Sequence, residues 1–265
     1  MQRVLITGAA GALGKVLREK LASTYPILRL SDAAEMEPAK KGEETVRCEL
    51  SDAAAVDQLC KGVDAIVHLG GQSIEAPWPR VMQSNIVGLV NLYEAARKAG
   101  VKKILFATSN HAVGFYRRTQ TIDHSANARP DSRYGLSKAF GEDVSFYYAH
   151  KHGIAGYCMR IGSCFPKPVN SRMLWTWLSY PDFVRLVRVG LAAEYTYEIV
   201  YGVSRNTRMF WNNANAYGLG YDPKDDAEVY AKDVEKILFD NPADNLCHGG
   251  NFISPDFTGD ISKIP

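Results

Sequence analysis

The sequence predicts an α/β fold in which a doubly wound parallel sheet carries a small C-terminal lobe. Short apolar runs rich in β-branched residues alternate with longer segments of helical periodicity from the first residue to about residue 160. The first run leads directly into a glycine-rich turn and a helical segment. With 265 residues, of which 46% are hydrophobic, the chain is also long enough to bury a large core.

Six apolar runs and four helical segments build the pattern of successive βαβ units. Strands are predicted at residues 3–7, 27–31, 45–48, 65–69, 103–108 and 155–161, and helices at residues 13–24, 52–61, 80–99 and 132–152. Gly62, Gly100 and Gly153 follow three of these helices, where glycine adopts the left-handed conformation that ends a helix.

The pattern changes after residue 161. Two prolines precede a segment in which aromatic residues concentrate, and only one more strand is predicted, at residues 198–203. We expect residues 1–161 to form the sheet core and residues 162–265 a small lobe, in one continuous structural unit. The aromatic segment 175–183 is interpreted as lobe core rather than a lid or a subunit contact, while the tail 251–265 either docks on a neighbour or frays.

Charge and cysteine content exclude several classes of protein. Lys and Arg number 31 against 29 Asp and Glu, with no like-charge block, so neither nucleic acid nor a membrane is expected as partner. No apolar run reaches the roughly 20 residues of a membrane span, and the chain enters its first strand too early for a secretion signal, which predicts a cytoplasmic location. The five cysteines are scattered, without metal-ligand spacing, so free thiols and no metal site are expected.

The turn at residues 8–14 has glycines in the spacing GxxGxxG between a strand and a helix. Gly8 permits the tight turn, Gly11 lets a pyrophosphate approach the backbone, and Gly14 lets helix and sheet pack closely. The helix N-terminus adds free N–H groups. Glycines alone often only shape a turn, but here strand, glycines, helix and a suitably placed acid coincide. This combination predicts a Rossmann-type dinucleotide-binding fold.

That acid is Asp32, at the end of the second predicted strand. A carboxylate there accepts hydrogen bonds from both hydroxyls of an adenosine ribose and repels a 2′-phosphate. No Arg or Lys occupies positions 33 or 34, and Arg29 lies within the strand, so the sequence favours NAD over NADP. Glu49 is a candidate acceptor for the adenine amino group and equally a solvated loop residue, and Leu50 would pack on the ring.

Tyr134 and Lys138 lie four residues apart on a predicted helix, so their side chains share one face. A free phenol has a pKa near 10, but a lysine cation and the positive charge of a nicotinamide both favour the phenolate, which is a proton acceptor. Lys138 would also hold the nicotinamide ribose, and Ser109, at a strand end, would hold the reacting oxygen. Without the glycine turn, this pair would indicate only a solvated helix face.

These residues resemble the short-chain dehydrogenase/reductase superfamily in its extended, epimerase-like branch. Residues 67–73 (VHLGGQS), 108–111 (TSNH), 128–131 (ARPD), 134–138 (YGLSK), 160–164 (RIGSC) and 172–174 (RML) further resemble the uronate dehydrogenase family over nearly the whole chain. Two residues depart from that pattern: Thr108 occupies a position where a serine is expected, and Glu49 occupies one where an aspartate is expected. The second departure changes the reach to adenine.

The resemblance implies NAD-dependent oxidation of a hexuronic acid, such as glucuronate or galacturonate, at C1 to the aldarolactone. Separately from the resemblance, a homo-oligomer is expected. It implies Tyr134 as base, with Lys138 and Ser109 assisting. The implied cofactor contacts are Gly8, Gly11, Ala12, Leu13, Gly14, Asp32, Glu49, Leu50, Leu69, Gly70, Gly71, Tyr134, Lys138 and Ile161. The implied substrate contacts are Ser73, Ser109, Asn110, His111, Tyr134, Ser163 and Arg172.

Arg172 is the candidate for the uronate carboxylate, because a guanidinium matches both carboxylate oxygens. From the residues alone, a solvated arginine is the commoner interpretation of Arg172, and His111 is equally a packed loop histidine and Ser163 equally a turn residue. Gly70 and Gly71 favour close passage of the dinucleotide over a plain turn. Two other functions compete. A nucleotide-sugar epimerase or dehydratase would need a basic cluster for a diphosphate in the lobe, and a non-catalytic NAD-sensing module would have no need of the Tyr, Lys and Ser.

Overall fold

Seven strands form the main sheet of the protein, whose computed structural model describes residues 1–264. The strands of this sheet are β1 Arg3–Thr7, β2 Ile27–Asp32, β3 Glu43–Arg47, β4 Ala65–His68, β5 Lys103–Ser109, β6 Ala155–Ile161 and β9 Tyr197–Gly202. Two short strands, β7 Ser163–Cys164 and β8 Trp177–Leu178, pair separately with each other. The strand order of the main sheet is β3-β2-β1-β4-β5-β6-β9. β1 pairs in parallel with both β2 and β4, so the sheet is doubly wound, and the predicted fold class is confirmed.

The helices connect these strands. They are α1 Ala12–Lys20, α2 Ala53–Leu59, α3 Trp78–Val81, α4 Gly88–Ala99, α5 Arg133–His152, α6 Met173–Thr176, α7 Tyr180–Ala192, α8 Ala214–Gly218 and α9 Ala231–Val234. A π-helical segment, Met82–Val87, joins α3 to α4. Gly62, Gly100 and Gly153 all have φ between +67° and +75°, as predicted for residues that end a helix.

Element ends differ from the sequence prediction by a few residues. The first helix ends at Lys20 instead of residue 24, and Ser23 adopts a left-handed φ of +64° that no helix continues through. The predicted helix 80–99 begins earlier, at Trp78, and its regular α-helical turns are interrupted by the π-helical segment. The predicted strand 198–203 is β9, shifted by one residue.

The chain forms two compact units. The first contains Met1–Ala107, Phe140–Cys158 and Gly190–Glu198, and the second contains Thr108–Ala139, Met159–Val189 and Ile199–Pro265. The first unit buries the apolar residues of β1 and β4 and, in β2, Leu28 and Leu30 almost completely. The division into a core of residues 1–161 and a lobe of residues 162–265 stays a prediction.

The second unit has its own apolar core, and the aromatic residues of the C-terminal third supply much of it. Trp177 and Phe183, which belong to the segment interpreted as lobe core, are at most 3% exposed, and Trp211 is 1% exposed. In the tail, Ile253 and Ile264 pack with Ala243 and Cys247, so this segment is anchored within its own unit. No helix in the described part of the chain is long and apolar enough to cross a membrane.

Candidate active site

The glycine turn in the first unit is built so that only glycine fits at two positions. Gly8 has a φ of +71°, and a Cβ atom there would lie 2.7 Å from the Leu69 carbonyl carbon. A Cβ atom at Gly14 would lie 2.3 Å from the Gly8 carbonyl oxygen. The backbone of the turn therefore lies directly against α1 and the end of β4, as a phosphate-binding turn requires.

The N-terminus of α1 is suited to an anion. Gly11 precedes the helix without a side-chain cap, and the first turn contains no acidic residue. Gly11 and Ala12 are exposed and Leu13 is half-buried, so backbone N–H groups and the positive end of the helix dipole are accessible. These features fit the pyrophosphate of a dinucleotide.

Asp32 lies half-buried at the end of β2, where its two carboxylate oxygens accept hydrogen bonds from the backbone N–H groups of Ala10 and Ala34 at 2.9 and 3.0 Å. Arg29 is engaged elsewhere, in an ion pair with Glu44. Arg47 is the register partner of Asp32 on β3, and its Nε donates to the Ala33 carbonyl oxygen at 2.9 Å. Arg47 was not identified from the sequence, because only the pairing of β2 with β3 brings it beside Asp32.

The loop after β4 is held by Asn85, a residue of the π-helical segment that sequence reasoning also missed. The Asn85 amide accepts from the Gln72 N–H at 2.7 Å and donates to the Gln72 carbonyl oxygen at 3.0 Å. Gly71 has a φ of +113°, and a Cβ atom there would lie 2.5 Å from the Asn85 side-chain oxygen. Ser73, in this loop, is exposed.

The other candidate cofactor residues of the first unit are Glu49, Leu50, Leu69 and Gly70. Glu49 is exposed, whereas Leu50 is half-buried with its side chain against Gly70 and Gly88. The Leu50 carbonyl oxygen accepts a hydrogen bond from Asn91 at 3.0 Å, which fixes the backbone after β3.

The second unit brings Ser109, Tyr134 and Lys138 together. Ser109 ends β5, while Tyr134 and Lys138 lie in the first turns of α5. The Lys138 ammonium is 5.5 Å from the centre of the Tyr134 ring, and Ser109 is hydrogen-bonded to Tyr134. All three are buried, at 4 to 7% exposed. A phenol, an ammonium and a hydroxyl group thus form one cluster.

Burial dominates the protonation of this cluster. It raises the pKa of Tyr134 to about 12, although the hydrogen bond with Ser109 acts to lower that pKa. Burial also lowers the pKa of Lys138 to about 8. In the protein chain by itself, the pKa of Tyr134 is therefore raised.

Arg172 lies in a fully protein-lined position between Ser163, Asn110 and the C-terminal segment. Its Nε donates to the His248 carbonyl oxygen at 2.7 Å, and one Nη donates to Ser163 Oγ at 3.2 Å. The side-chain amide of Asn110 forms hydrogen bonds through both its oxygen and its nitrogen in one of its two orientations. In that orientation the oxygen accepts from Arg172 at 2.7 Å and the nitrogen donates to the Ile161 carbonyl oxygen at 3.1 Å. Burial lowers the pKa of Arg172 to about 9.

His111 lies beside Tyr134, with ring centres 5.8 Å apart. Its Nδ1 is 2.7 Å from Asp131 Oδ2, and its ring stacks on Phe252 at 3.8 Å. Sequence reasoning singled out neither Asp131 nor Phe252 as a functional residue. The ring of Phe252 also lies 5.9 Å from that of Tyr134.

Residues 248–252 (His-Gly-Gly-Asn-Phe), which we name the C-terminal strap, contact Arg172 and His111. The His248 carbonyl oxygen accepts from Arg172, a Cβ atom at Gly250 would lie 2.4 Å from Arg172 Cδ, and Phe252 stacks on His111. The tandem glycines at 249 and 250 were the signal in the sequence, because adjacent glycines often mark a close backbone approach.

Comparison with known proteins shows similarity along most of the chain. Residues 4–173 match the model of the NAD dependent epimerase/dehydratase family. The chain is 52% identical to the uronate dehydrogenase of Pseudomonas putida over 235 residues, which cover 88% of each chain. It is 46% identical to that of Agrobacterium fabrum over 257 residues, which cover 96% of this chain and 97% of the relative.

A solved structure agrees with these relatives. The crystal structure of a mutant uronate dehydrogenase from Agrobacterium tumefaciens, complexed with NAD, aligns with a TM-score of 0.92 at 44% identity. The alignment covers 97% of this chain and 99% of that chain.

Proposed function

Because the chain belongs to the NAD dependent epimerase/dehydratase family, and within it to the uronate dehydrogenases, we propose that it oxidises hexuronic acids such as glucuronate and galacturonate at C1 to the aldarolactone. The chain is an NAD-dependent oxidoreductase. The buried guanidinium of Arg172 is the observation that carries the proposed substrate class. It donates to neutral oxygens only and forms no ion pair among residues 1–264.

A buried cation without an anionic partner is costly, and a carboxylate that binds to it recovers that cost. Arg172 donates through Nε to the His248 carbonyl oxygen of the strap, through one Nη to Ser163 and through the other Nη to Asn110. These three bonds fix the plane of the guanidinium. Each Nη retains a further N–H for a ligand. The proposed ligand is the uronate carboxylate, with Asn110 and Ser163 beside it.

The residues of the first unit would hold the dinucleotide. The turn Gly8–Gly14 and the N-terminus of α1 would bind the pyrophosphate, Asp32 the adenosine ribose, and Leu50 the adenine, with Gly70 and Gly71 close to the cofactor backbone. When bound, NAD supplies the acceptor for the hydride that leaves C1.

The second unit would supply proton transfer and orientation. Tyr134 accepts the proton of the C1 hydroxyl group while the C1–H bond breaks and the C1=O bond forms. Ser109 holds the reacting oxygen, and Lys138 acts through its charge and holds the nicotinamide ribose. His111 and Ser73 are further proposed contacts to sugar hydroxyl groups.

The experiment that tests this proposal follows the absorbance of reduced nicotinamide after the protein is mixed with NAD and one substrate. Net reduction with glucuronate or galacturonate is expected, and none with a nucleotide sugar, whose epimerisation would regenerate the cofactor. The Tyr134→Phe variant should lose turnover and retain NAD affinity, because only the proton acceptor is removed. Full activity of Tyr134→Phe would remove Tyr134 from the base role.

A cytoplasmic location and a homo-oligomeric state complete the proposal. Light scattering coupled to size-exclusion chromatography gives the mass of the particle in solution, and a mass of one chain, 29.3 kDa, would contradict the oligomer. Preference for NAD over NADP is proposed from the carboxylate of Asp32.

A further inference from the structure

Asp131 is a buried carboxylate that the proposed reaction does not use. Its side chain has no exposed surface, and its only ion-pair partner in residues 1–264 is His111, whose Nδ1 lies 2.7 Å from Oδ2. The other carboxylate oxygen accepts a hydrogen bond from Ser132 Oγ at 2.7 Å. A buried charge paired with neither Lys nor Arg is costly, so its position calls for a function.

The backbone around Asp131 leaves room for this carboxylate and little else. A Cβ atom at Gly114 or at Gly249 would lie 1.8 Å from Oδ2, and one at Gly135 would lie 3.0 Å from Oδ1. Three glycines from three separate segments therefore enclose it. One of them, Gly249, belongs to the C-terminal strap, which also provides the ring that stacks on His111.

We propose that Asp131 is a positioning residue, which fixes the tautomer and the ring plane of His111 so that His111 Nε2 accepts a hydrogen bond from a hydroxyl group of the sugar. This inference rests on the proposed function, because it assigns a specificity contact within the same reaction.

The tautomer follows from the donors and acceptors present. An ionised carboxylate has no proton to donate, so His111 Nδ1 carries the proton that lies between Nδ1 and Oδ2. In the neutral imidazole, Nε2 is then an acceptor, as in other histidines whose second nitrogen is fixed by a carboxylate.

The ring plane is fixed from two further sides. Phe252 stacks on the imidazole with an angle of 23° between the planes, and the Tyr134 ring meets it nearly edge-on at 67°. Rotation of His111 would break the bond to Asp131 and collide with one of these rings. A sugar whose C1 hydroxyl reaches Tyr134 would therefore meet His111 in a single orientation.

Nuclear magnetic resonance tests the tautomer without requiring turnover. A long-range ¹H–¹⁵N correlation spectrum of the full chain, with the His111→Asn variant identifying the signal, should show the proton of His111 on Nδ1. A neutral His111 protonated on Nε2 would overturn the proposal. Since no substrate is needed, this result stands apart from whether the protein oxidises uronates.

Kinetics tests the consequence. Asp131→Asn removes the charge with little change of shape, so the KM for the uronate should rise about tenfold, the effect of one misoriented hydrogen bond. The KM for NAD should stay unchanged, and kcat should fall much less than KM rises. A loss in kcat alone, with an unchanged uronate KM, would contradict the proposal.

A double variant separates action through His111 from a general structural effect. If Asp131 acts through His111, Asp131→Asn combined with His111→Asn should be no worse than His111→Asn alone. Additive losses would show that Asp131 works independently of His111 and would overturn the proposal. Should Asp131→Asn fail to fold, the tautomer of the wild-type protein still decides the matter.

Discussion

Arg172 owes its position to a neighbouring glycine. Gly250 has a φ of +65°, and its α-carbon lies so close to Arg172 that a Cβ atom would reach within 2.4 Å of Cδ. Gly250→Ala should displace the guanidinium of Arg172 from the position in which it would bind a carboxylate. The KM for uronate should then rise at least tenfold, because a hydrogen bond to a charged group contributes about 1.5–3 kcal/mol. Steady-state kinetics with glucuronate measures the effect.

Gly220→Ala is the matched control for this variant. Gly220 also has a positive φ, of +100°, but no atom lies within 4 Å of its added Cβ. It shares the backbone strain and lacks the collision. Similar kinetic losses in both variants would mean that strain, not displacement of Arg172, causes them.

Lys138 is a residue whose function costs stability. Its pKa falls from the ordinary 10.5 to about 8, because burial disfavours the ammonium form. At pH 7 this corresponds to up to about 3 kcal/mol of lost stability. Lys138→Met should therefore abolish activity and raise the free energy of unfolding in urea at pH 7.

The sign of this effect predicts its pH dependence. Below pH 8, Lys138 is charged in both the folded and the unfolded protein, and the full penalty applies. Between pH 8 and 10.5, the folded state releases the proton first, so the penalty fades and the advantage of Lys138→Met over the wild-type protein should shrink. An advantage that grows with pH would contradict the assignment.

The same two pKa values predict the pH profile of kcat/KM for uronate oxidation. Below pH 8, the fraction of Tyr134 in the phenolate form rises tenfold per pH unit, because its pKa is about 12. Above pH 8, the fraction of charged Lys138 falls equally fast, since its pKa is about 8. The profile should therefore rise and level off near pH 8.

Lys138→Arg is the variant that tests this explanation. Arginine stays charged throughout the range, so any residual activity of the variant should continue to rise beyond pH 8. A profile that levels off at the same pH in both proteins would assign the plateau to another group.

At the scale of single elements, the π-helical segment Met82–Val87 has a specific role. It directs Asn85 to both backbone groups of Gln72, and thereby holds the loop between β4 and α3. Asn85→Ala should remove both of these hydrogen bonds, leave the Gln72 N–H only its longer contact with Ser84 Oγ at 3.3 Å, and loosen this loop. We expect a several-fold weaker affinity for NAD, measured by calorimetry, with an unchanged helix content; an unaltered affinity would separate this loop from cofactor binding.

Most elements could be predicted from the sequence, because their signals are local. Strand β1, the glycine turn and α1 follow one another within a few residues, and Tyr134 and Lys138 share one helix face through their spacing alone. The π-helical segment could not be predicted, since its residues have ordinary helical periodicity. The early end of α1 could not be predicted either. It depends on the left-handed conformation of Ser23, and a serine in the sequence does not by itself indicate that conformation.

At the scale of the whole molecule, the second unit assembles its functional cluster from four distant stretches of chain. Residues 109–111, 134–138 and 163–172 were predicted to contribute from motifs or from family resemblance, whereas Asp131 was not. Hydrogen bonds join Ser109 to Tyr134, and Arg172 to both Ser163 and Asn110. The C-terminal strap was not predicted as a part of the cluster. Its contribution consists of a carbonyl oxygen, two glycines and a ring. Only the glycines leave a signal in the sequence, and that signal indicates a close backbone approach rather than a chemical function.

Recognition of the acid group of the sugar can be measured as the ratio of two specificity constants. Initial rates of NAD reduction give kcat/KM for glucuronate and for glucose, its neutral counterpart with the same hydroxyl configuration. For the wild-type protein, kcat/KM should be larger for glucuronate than for glucose by a factor of about ten or more. Arg172→Ala should bring the two kcat/KM values close together. Equal values in the wild-type protein, or no reduction of NAD with either uronate, would contradict the proposed recognition of the acid group.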